Sequence, residues 1–245
     1  MVGRYAPSPT GDLHLGNLRT GLIAHRRASR LILRIDDLDV GRVRERFVAS
    51  QLEDLAAVGV TWDGEPVRQS ARTARYEDAL SRLDTYPCYC TRAEIRDAPS
   101  APHGPPGAYP GTCRDRTDRP DRPAALRVRA DGTVDDFVVR RNDGAFAYHL
   151  ASVVDDADLG IEEVVRGADL ADSTPRQEWL ARTLGFAPPA YVHVGLVLGP
   201  DGERLAKRHG AVTLRDLDVG AARAWLEESL QVPLAEPIVF RHTGA

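Results

Sequence analysis

The sequence predicts an α/β fold organised around a parallel β-sheet, on three observations. Val2-Gly3-Arg4-Tyr5-Ala6 reads as a short strand that stops at Pro7-Ser8-Pro9-Thr10-Gly11. Leu15, Leu18, Leu22 and Ile23 then fall at helical spacing. Leu31-Ile32-Leu33-Arg34-Ile35 is a near-continuous apolar run of the kind a buried parallel strand shows, and it ends in Asp36, Asp37 and Asp39. Strand, turn, helix and strand make a βαβ unit whose polar residues gather at the carboxyl ends of the strands, where open α/β sheets bind ligands.

Further along, helices are expected over residues 48–58 and 73–83, with Trp62-Asp63-Gly64 as a turn between them. From Cys88 to Pro123 the composition shifts to Pro, Gly, Arg and Asp, too poor in apolar residues for a core of its own. Something other than hydrophobic burial must order that segment. Residues 136–140, 148–154 and 163–167 are β-branched or apolar runs and read as strand-like. Asp172-Ser173-Thr174-Pro175 marks a helix start, with Ser173 or Thr174 as the cap and Pro175 in the first turn. The last strand-like run, 191–198, leads into a turn at Gly199-Pro200-Asp201-Gly202; beyond Val212 the chain reads as short and helical, most clearly over 221–230.

Composition narrows the function. A chain of 245 residues with 42% hydrophobic content suits one large α/β domain or a domain carrying an insertion. No apolar stretch approaches the roughly 20 residues of a membrane helix, and Met1-Val2-Gly3-Arg4 does not open a signal peptide, so a cytoplasmic protein with no membrane partner is expected. Cys88, Cys90 and Cys113 cannot all pair among themselves, and a metal site is the better expectation. A net charge of −4 means that contact with RNA would need a local basic patch. Of the 32 basic residues all but Lys207 are arginine, which marks Lys207 as a candidate for a task that needs a compact ammonium.

Three constellations carry chemistry. In Pro7-Ser8-Pro9-Thr10-Gly11-Asp12-Leu13-His14-Leu15-Gly16-Asn17, a strand-to-helix turn of small residues offers the free N–H groups of a helix start to a phosphate. Gly16 lets the backbone approach a nucleotide, and His14 can donate to phosphate oxygens. Gly199 to Gly210, with Lys207, suits a glycine-bounded loop that neutralises a departing pyrophosphate. Cys88-Tyr89-Cys90 with Cys113 offers three thiolates that one further ligand would complete as a tetrahedral zinc site, ordering the segment between them.

Pro-Ser-Pro-Thr-Gly followed by His14-Leu15-Gly16-Asn17 resembles the HIGH signature of class I aminoacyl-tRNA synthetases in the glutamyl and glutaminyl branch, and Arg204-Leu205-Ala206-Lys207-Arg208 resembles their KMSKS loop, with alanine where serine is usual. Tyr109-Pro110-Gly111-Thr112-Cys113 is similar to the Tyr-x-x-x-Cys element of the short glutamyl-Q synthetases. The resemblance runs from Arg4 to about Thr213, and against the family the chain is shorter between Ala24 and Leu31, before Tyr86, and between Arg129 and Asp136. It implies a Rossmann-type parallel-sheet catalytic core in two halves (1–85 and 126–213), a small zinc-binding insertion (86–125) and a short helical C-terminal part (214–245).

The same resemblance implies site residues. ATP, carried with Mg2+, falls to His14, Gly16, Asn17 and Lys207, with His14 and Lys207 catalytic. L-glutamate falls to Arg4, Ser8, Asp36, Tyr148 and Arg166: the two arginines for the carboxylates, the others for the amine and backbone end. Asp36 stands where many relatives carry glutamate, so a water or Asp37 would bridge the missing methylene. One structural Zn2+ per chain would be held by Cys88, Cys90, Cys113 and Tyr109, with His103 the alternative fourth ligand on general zinc chemistry. The activity implied is ATP-dependent formation of glutamyl-adenylate and transfer of glutamate to the queuosine base of tRNA(Asp). About thirty residues follow Asp216, which favours this branch over the alternative of a conventional glutamyl-tRNA synthetase fragment. A non-catalytic nucleotide- and zinc-binding module is the alternative of a different class.

Overall fold

The turn that ends the first strand is followed by a helix because His14 and Asn17 cap it reciprocally and Leu15, Leu18 and Leu22 give it one apolar face; all three leucines are at most 1% exposed. A computed structural model describes this and the rest of residues 1–97, 108–199, 202 and 212–240; His103 and Lys207 lie outside the described residues. In chain order the elements are β1 (Val2–Tyr5), α1 (Leu15–Arg27), β2 (Arg30–Ile35), α2 (Glu45–Ala57), β3 (Val67–Arg68), α3 (Thr73–Ser81), β4 (Thr85–Cys88), α4 (Arg92–Asp97), β5 (Ala125–Val128), β6 (Val138–Arg140), α5 (Tyr148–Asp158), β7 (Glu163–Gly167), α6 (Thr174–Thr183), β8 (Ala190–Val194), β9 (Val197–Leu198), α7 (Val219–Ser229) and β10 (Ile238–Val239). They form two compact units, one from 1–71, 159–171 and 189–245, the other from 72–158 and 172–188. No helix among the described residues is long and apolar enough to cross a membrane.

The first unit holds the expected parallel sheet, in the order β3-β2-β1-β7-β8. Strand alternation sorts its side chains onto two faces. Tyr5, Leu31, Leu33, Ile35, Val165 and Val194 share a core with Leu15, Leu18 and Leu22 of α1. Ile32 and Val164 gather with Val2 and Tyr191 in a second cluster. In register, Arg4 lies opposite both Ile32 and Val164, and Arg166 opposite His193. Arg4, Arg34, Arg166 and His193 therefore stand on the second face. The chain builds outward from β1 to β2 and β3, then returns on the other side as β7 and β8, so β1 and β7 flank the point where the strand order reverses. Ligands of open α/β sheets bind at the carboxyl ends of such strands.

The C-terminal segment is wound into this unit. Leu214, Ala222, Leu226 and Phe240 join the α1 core, α7 packs on α1, and β10 pairs with β9. Arg19 of α1, fully buried, donates to the carbonyl oxygens of Gly195 and Ser229, both at 3.2 Å.

The second unit carries the antiparallel sheet β4-β5-β6 with α3, α5 and α6. Here one expectation is corrected: residues 148–154, read as strand-like, belong to helix α5. Leu150, Ala151, Val153 and Val154 are all buried, a helical spacing that the β-branched pair Val153-Val154 obscures. The helix is pinned by Asp155, fully buried, which accepts from Tyr76 Oη at 2.9 Å and from Arg72 Nε at 2.5 Å. α6 begins at Thr174 with Pro175 in its first turn, and Ser173 takes the cap position without a side-chain hydrogen bond.

Candidate active site and metal centre

The turn between β1 and α1 is held from several sides. Gln51 Nε2 donates to the carbonyls of Ser8 at 3.1 Å and Gly11 at 2.6 Å, and Ser50 Oγ donates to Asp12 at 2.5 Å. Ser8 itself is exposed. His14 Nδ1 accepts from the Asn17 N–H at 3.2 Å while Asn17 Oδ1 accepts from the His14 N–H at 3.3 Å. With Nδ1 accepting, the neutral imidazole carries its proton on Nε2. Gly16 is required at close quarters by that ring: a Cβ there would lie 3.0 Å from both Cε1 and Nδ1 of His14. The chain also returns here after the KMSKS-like segment, because the Leu15 N–H donates to the carbonyl of Val212 at 3.1 Å and His14 bridges to Thr213.

The arginine face of the sheet gathers the sequence-predicted carboxylate binders. Arg4 and Arg166, 5% and 3% exposed, lie on neighbouring strands. Arg4 Nη1 donates to the carbonyl of Val165 at 3.5 Å. Arg166 rests its guanidinium 4.5 Å from the centroid of the Tyr191 ring and donates from Nε to His193 Nε2 at 3.3 Å. Burial, and then the adjacent Arg166 charge, push the His193 pKa below its ordinary value. Sequence reasoning missed His193 and Tyr191; the signal was present, since both lie two apart on a strand whose facing follows once its register with β7 is known.

Asp36 pairs with an arginine two positions before it. Its carboxylate takes a fork from fully buried Arg34, Nε to Oδ1 at 2.7 Å and Nη2 to Oδ2 at 3.3 Å. Asp37 accepts from the Ser70 N–H at 2.7 Å, Ser70 Oγ at 2.8 Å and Arg68 Nε at 3.0 Å. Tyr148 opens α5 in the second unit, 38% exposed, with its ring tilted against His149.

The three cysteines converge. Their Sγ atoms all lie within 4.8 Å of one another, and Cys90 and Cys113 approach to 3.5 Å. Tyr109 Oη lies 3.4 Å from Cys88 Sγ and 3.8 Å from Cys90 Sγ and accepts from the Cys113 N–H at 2.8 Å. Tetrahedral zinc bonded to sulfur at about 2.3 Å and oxygen at about 2.1 Å spaces its ligands roughly 3.5–3.8 Å apart. The Cys90–Cys113 and the two Tyr109 separations lie close to that spacing, and the three thiols could hold a metal. Burial pushes the Cys113 thiol up, but hydrogen bonds from the Tyr89 backbone, Tyr109, Cys90 and Arg116 outweigh it and bring the pKa to about 7. Burial, then the hydrogen bond to Cys113, pushes Cys90 up to about 11, so a metal entering here displaces protons.

Around the thiols the apolar-poor segment is tied by ion pairs. Asp135 accepts from the Tyr109 N–H at 3.0 Å and from Arg176 Nε at 2.6 Å. Arg114 donates to Asp136 at 2.7 Å, and Arg127 lies 3.6 Å over the Tyr109 ring.

Comparison with known proteins identifies the family. Residues 1–122 and 119–225 match the family of class I tRNA synthetases (E and Q), catalytic domain. The glutamyl-Q tRNA(Asp) synthetase of Nocardia farcinica is 57% identical over 245 residues, covering 88% of this chain and 78% of the relative. This chain belongs to the glutamyl-Q tRNA(Asp) synthetase family. The synthetase of that name from Deinococcus radiodurans is 49% identical, covering 88% of this chain and 82% of the relative. As a glutamyl-Q synthetase relative the chain is a ligase-type enzyme of the class I tRNA synthetases, which removes the non-catalytic alternative. Among solved structures, a glutamate tRNA ligase from Elizabethkingia meningosepticum superposes with a TM-score of 0.70 and one from Elizabethkingia anophelis with 0.72, both at 25% identity over 88% of this chain. The chain spans 57% and 58% of those longer proteins.

Proposed function

We propose that this enzyme activates L-glutamate with ATP as glutamyl-adenylate and transfers the glutamyl group to the queuosine base of tRNA(Asp). The observation that carries the reading is the pair Arg4 and Arg166, buried on adjacent strands where the sheet order reverses. Forked cations in a low-dielectric setting suit a substrate with two carboxylates.

In the first step a glutamate α-carboxylate oxygen attacks the α-phosphorus of ATP and pyrophosphate leaves with its Mg2+. Arg4 and Arg166 hold the carboxylates. Ser8 and Tyr148 orient the amine end, and Asp36, whose two oxygens each accept one bond from Arg34, reaches the amine through a water on its remaining lone pairs. Gly16, Asn17 and the first turn of α1 receive the phosphates. His14, donating from Nε2, and Lys207 stabilise the negative charge that develops on the transferring phosphorus. In the second step a queuosine hydroxyl attacks the acyl carbon and AMP leaves. A zinc ion held by Cys88, Cys90, Cys113 and Tyr109 would order the insertion and take no part in bond making.

The names of the curated relatives support the tRNA(Asp) assignment. A second reading, glutamate ligation to its own tRNA, is favoured by the two Elizabethkingia structures. Glutamate-dependent exchange between ATP and labelled pyrophosphate, without RNA, tests the first step; wild-type enzyme that fails to exchange overturns it.

A further inference from the structure

Arg166 and His193 are direct partners across β7 and β8, so their side chains leave one face of the sheet about 4.8 Å apart. Arg166 is held on two sides. The Tyr191 ring lies beneath it at 4.5 Å and fixes the plane of the guanidinium. His193, whose ring is parallel to that of Tyr191 within 6°, takes the Nε hydrogen at 3.3 Å and fixes its rotation.

A guanidinium can meet a carboxylate in two ways, end-on through Nη1 and Nη2 or side-on through Nε and one Nη. An acceptor already seated on Nε removes the side-on option. To accept, His193 Nε2 carries no proton, so the imidazole is the neutral tautomer protonated on Nδ1. Burial and the neighbouring Arg166 charge both disfavour the imidazolium form.

We propose that His193 is a positioning residue for the amino-acid substrate: seated on Arg166 Nε, it aims the Nη1/Nη2 edge of that guanidinium at the substrate carboxylate. This rests on the assignment of Arg166 to a glutamate carboxylate. His193 itself touches no reacting atom.

The test is pyrophosphate exchange with wild type, His193→Phe, His193→Gln and Arg166→Ala, with melting curves for each and His193→Leu as a second apolar variant should the phenylalanine fail to fold. Loss of a hydrogen bond to a charged group predicts a rise of about tenfold in KM for glutamate in His193→Phe, with KM for ATP within about twofold of wild type. His193→Gln, whose Oε1 can still accept, should recover to within about threefold. An unchanged KM for glutamate in His193→Phe, an equal rise in both KM values, or a glutamine variant as impaired as the phenylalanine overturns the proposal. If wild type exchanges but Arg166→Ala binds glutamate normally, the carboxylate assignment fails and His193 with it; if Arg166→Ala is impaired and His193→Phe is not, only His193 falls.

Discussion

Replacing Gly16 with alanine sets helix stability against the placement of His14. The added methyl would sit 3.0 Å from two atoms of the His14 ring, where ordinary contact begins at 3.4 Å, so the ring must retreat by about 0.4 Å. Alanine gains up to about 1 kcal/mol of helix propensity over glycine, and weakening the His14 cap costs about 1 kcal/mol. The two nearly cancel, so the melting midpoint should hardly move. Catalysis has no such offset. If a 1 Å misplacement costs about a hundredfold, a logarithmic share for 0.4 Å is about sixfold, or roughly 1 kcal/mol of barrier. Pyrophosphate exchange by Gly16→Ala, read as kcat beside KM for ATP, should show kcat down about sixfold. A kcat within twofold of wild type would refute the placement argument, and a change confined to KM for ATP would assign Gly16 to nucleotide clearance instead.

Four further outcomes are expected, the first from the proposed role of Lys207 and the others from named contacts. Lys207→Ala should lower the activation rate by at least about a hundredfold while glutamate affinity stays within twofold; equal losses contradict a role confined to the transition state. Metal analysis should find about one zinc per chain, and Tyr109→Phe should weaken its retention against a chelator at least about tenfold; equal retention would show that Tyr109 is no ligand. Asp36→Ala leaves the fully buried Arg34 guanidinium without its forked partner and should cost about 3 kcal/mol in denaturant unfolding, with an unshifted midpoint showing the pair to be dispensable. Burial pushes the Asp135 carboxyl up, but Arg176 and the Tyr109 N–H outweigh it, so its pKa in the folded protein lies below the ordinary value. Its stabilising contribution is then present above about pH 4 and lost as pH falls through the lower folded pKa. Asp135→Asn should show a shallower acid decline than wild type in pH-dependent melting, and superimposable acid limbs would refute the linkage.

The βαβ unit was legible because its signals are local. A strand buried on both faces reads as an unbroken apolar run, and the turn before α1 is written in prolines and glycines. The three cysteines were legible as a group because a segment so poor in apolar residues, with Cys90 and Cys113 23 positions apart, needs a tie. Helix α5 was misread because Val153 and Val154 carry strand propensity, while the deciding contacts, Arg72 and Tyr76 on Asp155, come from about eighty residues away. The use of Asp36 by Arg34 lay within two residues, yet the sequence cannot say which side chain takes the fork. Asp37 binding Ser70, and His193 seated on Arg166, depend on strand register and loop return, which are properties of the assembled sheet.

Glutamate transfer to queuosine is tested by incubating wild-type enzyme with ATP, labelled glutamate and aspartate tRNA that either carries queuosine or lacks it. Label is expected on the queuosine-containing tRNA alone, at the modified base. Label on both forms, on neither, or at the 3′ end of glutamate tRNA would contradict it.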